Sequence, residues 1–470
     1  QEISDILVLK NNKGTEDNRV RKLDYSIQLS KLFYERFIKN EEISLFSPHD
    51  VPGLYDSFGT ESFDDLYLKY ENDESIPKKT IGGQELILDL LKERAETGRI
   101  YLMNIDHCNS HSSFVDKVEM SNLCQEITLP TKPIQHIDDE NGEIALCILS
   151  AINIGKIRDV SDLESLCDLS VRSLDELIDF QKYPVRAAEI ATKARRSLGV
   201  GFIGLAHYLA KQGVKYGDPE AWKLVHDLTE AFQYQLIRSS VDLAKEKGAC
   251  TYSDRTKYAQ GILPIDTYKK DVDELVPNDL KYDWESLRED VKKYGIRNST
   301  LSAQMPSESS SVVSNATNGI EPPRGYLSIK KSKKGPLKQI VPQYNTLKNN
   351  YTLLWDMPNN TGYINVVAVM QKFFDQAISG NWSYNPQHFE GSEVPTSVMA
   401  NDFLTTYKYG WKTSYYQNTY DVKTDEIEEP TAVGLQDNMD DVGIQGKTRL
   451  DTLISELSSS EEEECESCAI

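Results

Sequence analysis

Apolar residues recur at helical spacing in several parts of the chain. In residues 19–40, Leu23, Ile27, Tyr34 and Ile38 make an apolar stripe among charged neighbours, which predicts a helix. Residues 84–97 repeat that spacing, and residues 160–248 follow it for most of their length. Residues 46–54 hold two prolines and predict a loop, in which the His49-Asp50 pair fits a turn better than a catalytic couple. Short apolar runs predict strands at 101–105 and at 143–150, the second read as buried. Residues 298–306 are strand-like and stop at Pro306, and 395–417 read as a helix running into a strand. The start is a polar segment around Asn11-Asn12-Lys13-Gly14, with no evident helix cap or strand before it. The first residue is Gln1 and not Met, so the expectation is a processed chain or a part of something longer.

The most informative stretch is Ser121-Asn122-Leu123-Cys124-Gln125-Glu126-Ile127. If it is extended, its period of two puts Asn122, Cys124 and Glu126 on one face. A thiol can do one-electron or nucleophilic chemistry, a carboxylate can take a proton, and an amide can orient a hydroxyl. Cys147 follows in the apolar run 143–150. The alternative for both cysteines is a small core hydrophobe.

Elsewhere the candidate chemistry is weaker. Cys108 lies between His107 and His111 and could bind a metal, but no second pair at zinc spacing follows. A hydrogen-bonded loop is expected there, with no metal. Gly199, Gly201 and Gly204 match the dinucleotide fingerprint G-x-G-x-x-G, which needs a strand before it. Residues 191–196 are charged and helical in character, so the glycines read as close backbone packing. Cys167 and Cys250 read as structural. After Pro306, four serines fall in the five positions 307–311, where a helix should start. Serine hydroxyls and free N–H groups there make a phosphate cradle, or else an ordinary cap at Ser307 or Ser309. Residues 315–325 predict a rigid turn and 330–334 a solvated basic loop. Tyr415 and Tyr416 near the last helix–strand junction are either packing or adjacent redox-active rings.

Composition narrows the class. A chain of 470 residues allows one to three domains. A net charge of -22 argues against a nucleic-acid backbone as main partner. No apolar run is long enough to span a membrane, and no signal peptide is evident. Seven cysteines in so long a chain suit a reducing cytosol and not a disulfide framework, so a cytoplasmic location is expected. From about 421 acidic residues dominate and aromatics vanish, which divides the chain into a catalytic region, 1–420, and a flexible, disordered acidic tail, 421–470. The tail ends in Cys465-Glu466-Ser467-Cys468, a dithiol on a tether, which fits a thiol–disulfide shuttle better than a metal site.

These features meet in one family. The chain resembles the catalytic large subunit of class I ribonucleoside-diphosphate reductase, almost end to end. The matching motifs are Asn122-Leu123-Cys124-Gln125-Glu126, Pro306-Ser307-Glu308-Ser309-Ser310, the run from Ser314 to Gly325, and Tyr415-Tyr416-Gln417-Asn418. The resemblance implies that Cys124 is the thiyl-radical cysteine that takes the 3′ hydrogen of the ribose. Glu126 would be the base at the 3′ hydroxyl, and Asn122 would hold the sugar hydroxyls. Cys147 would be one of two cysteines that reduce the 2′ carbon and end as a disulfide. Ser307, Glu308, Ser309 and Ser310 would bind the substrate diphosphate, largely by backbone N–H. Tyr416 and Tyr415 would carry the radical from a diiron-tyrosyl small subunit, docked near residues 19–38 and the helix before Tyr415. Cys465 and Cys468 would re-reduce the site and be reduced by thioredoxin or glutaredoxin.

The implied fold is α/β, the C-terminal half of a ten-stranded α/β barrel with Cys124 at the tip of an inserted finger loop. The family's large subunit is longer at its N-terminus, where it carries the sites for the allosteric nucleotides ATP and dNTP, the first strands and the other reducing cysteine. None of Cys108, Cys167 and Cys250 sits in that cysteine's context. The expectation is therefore the C-terminal piece of a split large subunit, associated with an N-terminal fragment, or else a truncated or proteolytic product. There are two rival readings: an anaerobic glycyl-radical reductase, for which no glycyl-radical motif is seen, and an inactive regulatory scaffold, against which the intact motifs argue.

Overall fold

The computed structural model describes residues 2–11, 20, 23–332 and 335–421, and of 330–332 and 335–337 the backbone alone. The tail beyond 421, with Cys465 and Cys468, lies outside the described residues. These residues form strands β1 (Tyr25–Leu29), β2 (Glu42–Phe46), β3 (Lys78–Gly82), β4 (Ile100–Asn104), β5 (Ile148–Asn153) and β6 (Leu198–Ile203). They continue with β7 (Leu327–Ser332), β8 (Gly335–Ile340), β9 (Trp382–Tyr384), β10 (Thr413–Ser414) and β11 (Gln417–Thr419).

The strands make five small sheets: β1-β4-β10, β5-β6, β2-β3, β7-β8 and β11-β9. Backbone hydrogen bonds link the first two into one ribbon. Val200 on β6 bridges Ser302 in parallel, and Gln304 bridges Ile378 in parallel. Tyr415 N–H, just past β10, donates to Gly380 O at 2.7 Å. The ribbon thus runs β5, β6, 300–304, 376–380, β10, β4, β1. It is an α/β wall, not a closed barrel: among the described residues no further strand pairs with the outer edge of β1 or β5. The helix Pro219–Lys247 and the almost wholly buried helix Thr361–Gln371 pack behind it. Phe202 on β6, Phe232 and Phe374 join there, with ring centroids 4.4 and 5.7 Å apart along the chain of contacts.

Several elements differ from their sequence expectation. Residues 19–40 do not form one helix. Tyr25, Ile27 and Leu29 also alternate, and that period wins because β1 pairs in parallel with β4, Tyr25 opposite Ile100 and Leu29 opposite Asn104. The helix is only Lys31–Lys39, closed by Asn40 in the left-handed conformation. A short helix, Ile3–Leu7, precedes the polar opening segment. Residues 106–111 are not a loop: the helix Ile105–Ser110 leads straight off β4 and buries Ile105 and Cys108. The run 143–150 becomes a strand only at Ile148, and Leu146 and Leu149 are 37% and 40% exposed. The apolar sequence alone does not reveal this exposure. The basic segment 330–334 belongs to a hairpin, β7-β8, with Lys333 and Lys334 outside the described residues. The helices at 84–97 and 395–408 and the strand at 101–105 match expectation to within about two residues. No described helix is long and apolar enough to cross a membrane.

Gly199 and Gly201 of the glycine fingerprint lie inside β6 and Gly204 just after it, at the cap of the helix Leu205–Gln212, so the fingerprint does not follow a strand. A Cβ at Gly201 would stand 2.6 Å from Ala303 O, and one at Gly199 2.5 Å from Leu149 Cδ2. Close backbone approach therefore accounts for Gly201, and close side-chain packing for Gly199. Gly201→Ala is expected to lower stability by about 1–3 kcal/mol, because the obstructing atom is main chain and cannot swing away. A thermal melt that matches the parent chain would refute this account.

Candidate active site

Residues 121–127 are a tight turn, not an extended strand. Asn122 N–H donates to Ile127 O at 3.1 Å and Gln125 N–H to Asn122 O at 3.2 Å. The Asn122 Oδ1 accepts from Ile127 N–H at 3.0 Å, and Gln125 has φ +71°. The asparagine side chain competes for backbone donors and wins here, so the predicted common face does not exist as such. The turn nevertheless gathers the same groups at its tip. Leu123 is exposed, whereas Glu126 is 2% exposed.

Cys124 is half-buried, and the Tyr415 hydroxyl donates to its Sγ at 3.4 Å. Burial pushes the Cys124 thiol up, and the Tyr415 hydrogen bond partly offsets this. Burial also raises the Glu126 carboxyl, against hydrogen bonds from the Asn122 side chain, its own N–H and Ser379. Cys147 receives the Gln376 Nε2–H at 3.4 Å, and burial holds its thiol well above the ordinary range. A Cβ on Gly199 would approach Cys147 Sγ to 3.1 Å, so the strand glycine leaves room for that sulfur.

A segment that sequence reading passed over frames this site. Residues 375–381 follow the buried helix Thr361–Gln371. Gln376 also donates to Leu198 O at 2.9 Å and accepts from Thr128 N–H at 3.3 Å. Ser379 Oγ stands 2.5 Å from Cys124 O and 3.1 Å from Glu126 Oε2. The buried Lys412 ammonium donates to the carbonyls of Phe374, Asp375 and Gln376, which braces the turn, and burial pushes it down to about 7. Nothing in the polar residues of 375–381 signals this from sequence, because each contact is made across a long chain separation.

Tyr415 and Tyr416 have ring centroids 3.9 Å apart at 42°. Tyr101 on β4 joins them at 4.8 and 5.8 Å. Arg99 lies over the Tyr416 ring at 4.9 Å and donates to its hydroxyl at 3.3 Å. The fully buried Arg94 donates to the carbonyl of Tyr415 at 2.9 Å, which fixes the backbone of the pair. Tyr101, Arg94 and Arg99 were not singled out from sequence. An alternation check on the predicted strand could have found Tyr101.

Of the serine run, Ser307 is buried, while Glu308, Ser309 and Ser310 are exposed. Ser307 O accepts from Ser311 N–H at 2.9 Å and from Ser311 Oγ at 2.6 Å. The helix that follows, Ser310–Val313, has only four residues, and Ser309 makes no side-chain cap hydrogen bond. Glu308 is close enough to raise both the Cys124 thiol and the Glu321 carboxyl, so this loop borders the finger.

Glu321 was also missed. Its carboxylate accepts from Asn381 Nδ2 at 2.5 Å and Asn318 Nδ2 at 3.2 Å, and Asn381 Oδ1 accepts from Tyr416 N–H at 2.9 Å. Burial raises Glu321 from 4.5 to about 7, aided by Glu308 and opposed by Asn381 and Arg324. The folded chain thus binds this proton more tightly than the unfolded chain. Its stabilising contribution is full below the ordinary value and is lost as pH rises through about 7. Glu321→Gln is expected to flatten the fall in melting temperature between about pH 5 and 8. Equal slopes in the two proteins would refute it.

The remaining clusters are held by other contacts. His111 meets Thr267 and Gln371 O, His107 meets Trp411 O, and Cys108 donates to Lys412 O. Asp227 in the His226-Asp227-Glu230 group already pairs with Lys223 and Lys281. His49 is exposed beside Asp50, away from the site. Cys167 and Cys250 are buried and free of disulfides, as structural cysteines should be.

With this geometry in view, a family model described as the ribonucleotide reductase barrel domain matches residues 1–417. The chain belongs to the ribonucleotide reductase family. It is 58% identical over 433 residues to the ribonucleoside-diphosphate reductase subunit alpha of Haemophilus influenzae, covering 91% of this chain and 57% of that protein. It is 54% identical over 442 residues to ribonucleoside-diphosphate reductase 1 subunit alpha of Escherichia coli, covering 93% and 58%. The corresponding phage T4 subunit is 45% identical over 444 residues, with 92% and 58% covered. This member of the family therefore spans somewhat over half the length of the curated relatives it matches.

Proposed function

We propose that this chain is the catalytic part of a ribonucleoside-diphosphate reductase, an oxidoreductase that makes deoxyribonucleotides for DNA synthesis. The observation that carries the reading is the continuous run Tyr416, Tyr415, Cys124, with rings 3.9 Å apart and the Tyr415 hydroxyl 3.4 Å from the sulfur. Adjacent phenols, here tilted against each other, that end on a thiol suit one-electron transfer, and a buried carboxyl beside the thiol suits proton exchange with a sugar. Cys124 would take the 3′ hydrogen of the ribose as a thiyl and return it at the end. Glu126 would accept the 3′ hydroxyl proton. Asn122, whose Oδ1 is engaged within the turn, would offer its Nδ2–H to a sugar hydroxyl or to Glu126. Cys147 would supply one electron of the pair that reduces the 2′ carbon, forming a disulfide with a second cysteine as water leaves. The backbone around Ser307, Glu308, Ser309 and Ser310 would receive the diphosphate. The serine helix is short, so N–H groups of the loop would matter more than a helix dipole.

The finer assignments follow the family. The radical would come from a diiron-tyrosyl small subunit docked near the helices Lys31–Lys39 and Thr396–Lys408. The open edges of β1 and β5 would receive the N-terminal part of the large subunit, completing a ten-stranded barrel and bringing the second cysteine and the sites for ATP and dNTP. Residues 1–420 would form the catalytic region. The tail from 421, with Cys465 and Cys468, would exchange its dithiol with the site and with thioredoxin or glutaredoxin. The test is to mix the chain with an N-terminal large-subunit part and the small subunit and to assay reduction of cytidine diphosphate. Activity that needs all three supports the reading. A chain that binds neither partner and gives no product overturns it.

A further inference from the structure

The Ser379 hydroxyl lies between two groups that the proposed reaction uses. Its Oγ is 2.5 Å from Cys124 O and 3.1 Å from Glu126 Oε2. The main chains around it are fixed: Ser379 N–H donates to Gln304 O at 2.9 Å, and Ala377 N–H donates to Glu126 O at 3.0 Å. Ser379 is 7% exposed, so water competes little for the hydroxyl. What remains free to turn is the hydroxyl proton. A serine hydroxyl has one proton and two acceptor lone pairs. A carbonyl oxygen can only accept. A carboxyl can accept when ionised and donate when protonated.

Two arrangements satisfy these rules. With Glu126 protonated, its O–H donates to Ser379 Oγ and Ser379 donates to Cys124 O. With Glu126 ionised, Ser379 turns to the carboxylate, where a charge-assisted hydrogen bond is about twice as strong as a neutral one. The Cys124 carbonyl then loses that donor. We propose that Ser379 is a positioning residue: its single hydroxyl proton alternates between Glu126 and the Cys124 carbonyl and so reports the charge of Glu126 to the peptide that carries Cys124. Its bearing on catalysis rests on the reading of Glu126 as the base toward the sugar. When Glu126 gains a proton, the turn holding the sulfur gains a hydrogen bond in the same event.

The titratable groups facing this site are the thiols of Cys124 and Cys147, the Tyr415 phenol and the carboxyls of Glu308, Asp24 and Asp375, together with the Lys412 ammonium that braces residues 374–376 and the Glu321 carboxyl bonded to Asn381. Burial pushes the thiols and the phenol up, away from the range in which Glu126 titrates. Glu126→Gln keeps all the other titratable groups and so separates Glu126 from them.

The sequence offers a direct probe, because Cys-Gln occurs once, at 124–125. Labelling the full chain with carbonyl-13C cysteine and 15N glutamine gives a single carbonyl–nitrogen correlation, that of the Cys124 peptide. In the parent chain the Cys124 carbonyl should move downfield in one step as pH falls through the raised Glu126 value. The step should vanish in Glu126→Gln and in Ser379→Ala, and persist in Ser379→Thr, which keeps the hydroxyl. Ser379→Cys, close in volume and a weak donor, should shrink the step, and it serves if Ser379→Ala does not fold. A step that survives in Ser379→Ala or Ser379→Cys at full size, or a parent chain with none, overturns the proposal. The readout involves no turnover, so its failure is distinct from failure of the reductase reading.

Discussion

Cys124→Ser is expected to abolish nucleotide reduction, by at least about four orders of magnitude, while the chain still folds and binds its partners. The substitution exchanges sulfur for oxygen at a half-buried site and leaves the turn's own hydrogen bonds, made by main chain and by the Asn122 and Gln125 side chains, untouched. What it removes is the weak S–H bond. An alcohol O–H is too strong for a tyrosyl radical to break, so the oxygen analogue cannot pass the radical to the sugar. The shorter Ser side chain also withdraws from the Tyr415 hydroxyl, which now meets Sγ at 3.4 Å. The measurement is single-turnover formation of deoxycytidine diphosphate in the assembled enzyme, with sedimentation to establish assembly. Normal turnover would remove Cys124 from the centre of the mechanism.

Tyr415→Phe is expected to be nearly as severe, with loss of about four orders of magnitude in reduction. The ring would keep its packing against Tyr101 and Tyr416, so the melting temperature should shift little. The phenol contributes twice to the site. On the proposed reading it is the last redox-active group before the thiol, and its hydrogen bond partly offsets the effect of burial on Cys124. Without it the Cys124 thiol titrates higher, so alkylation by iodoacetamide should slow at a fixed pH. Mass spectrometry of the modified peptide reads that directly. Retained turnover together with unchanged alkylation would refute the role given to Tyr415.

The reading of the chemistry from sequence and the reading of local conformation fared differently. Cys124, Glu126, Tyr415 and Tyr416 stand together because residue type survives folding whatever the backbone does. The conformation of 121–127 did not follow its alternation, because Asn122 bonds back to Ile127 and Gln125 takes a left-handed φ. Likewise Tyr25–Leu29 carries both a helical and an alternating pattern, and only pairing with Ile100–Asn104, some 75 residues away, decides between them. The supporting residues Gln376, Ser379, Asn381 and Glu321 act through contacts across sequence separations of 35 to 255 residues. No local pattern encodes such contacts. The acidic tail and its dithiol remain a matter of sequence alone.

The unpaired margins of β1 and β5 bear on the life of the chain in the cell. Among the described residues each offers a row of main-chain donors and acceptors, and Leu149 on β5 and Leu146 just before it add exposed apolar surface. A molecule held apart from its complement carries two adhesive borders, open to clumping with its own copies and to capture by chaperones or proteases. On the proposed reading, in which an N-terminal part covers those borders, the steady amount of this chain should follow the supply of that part.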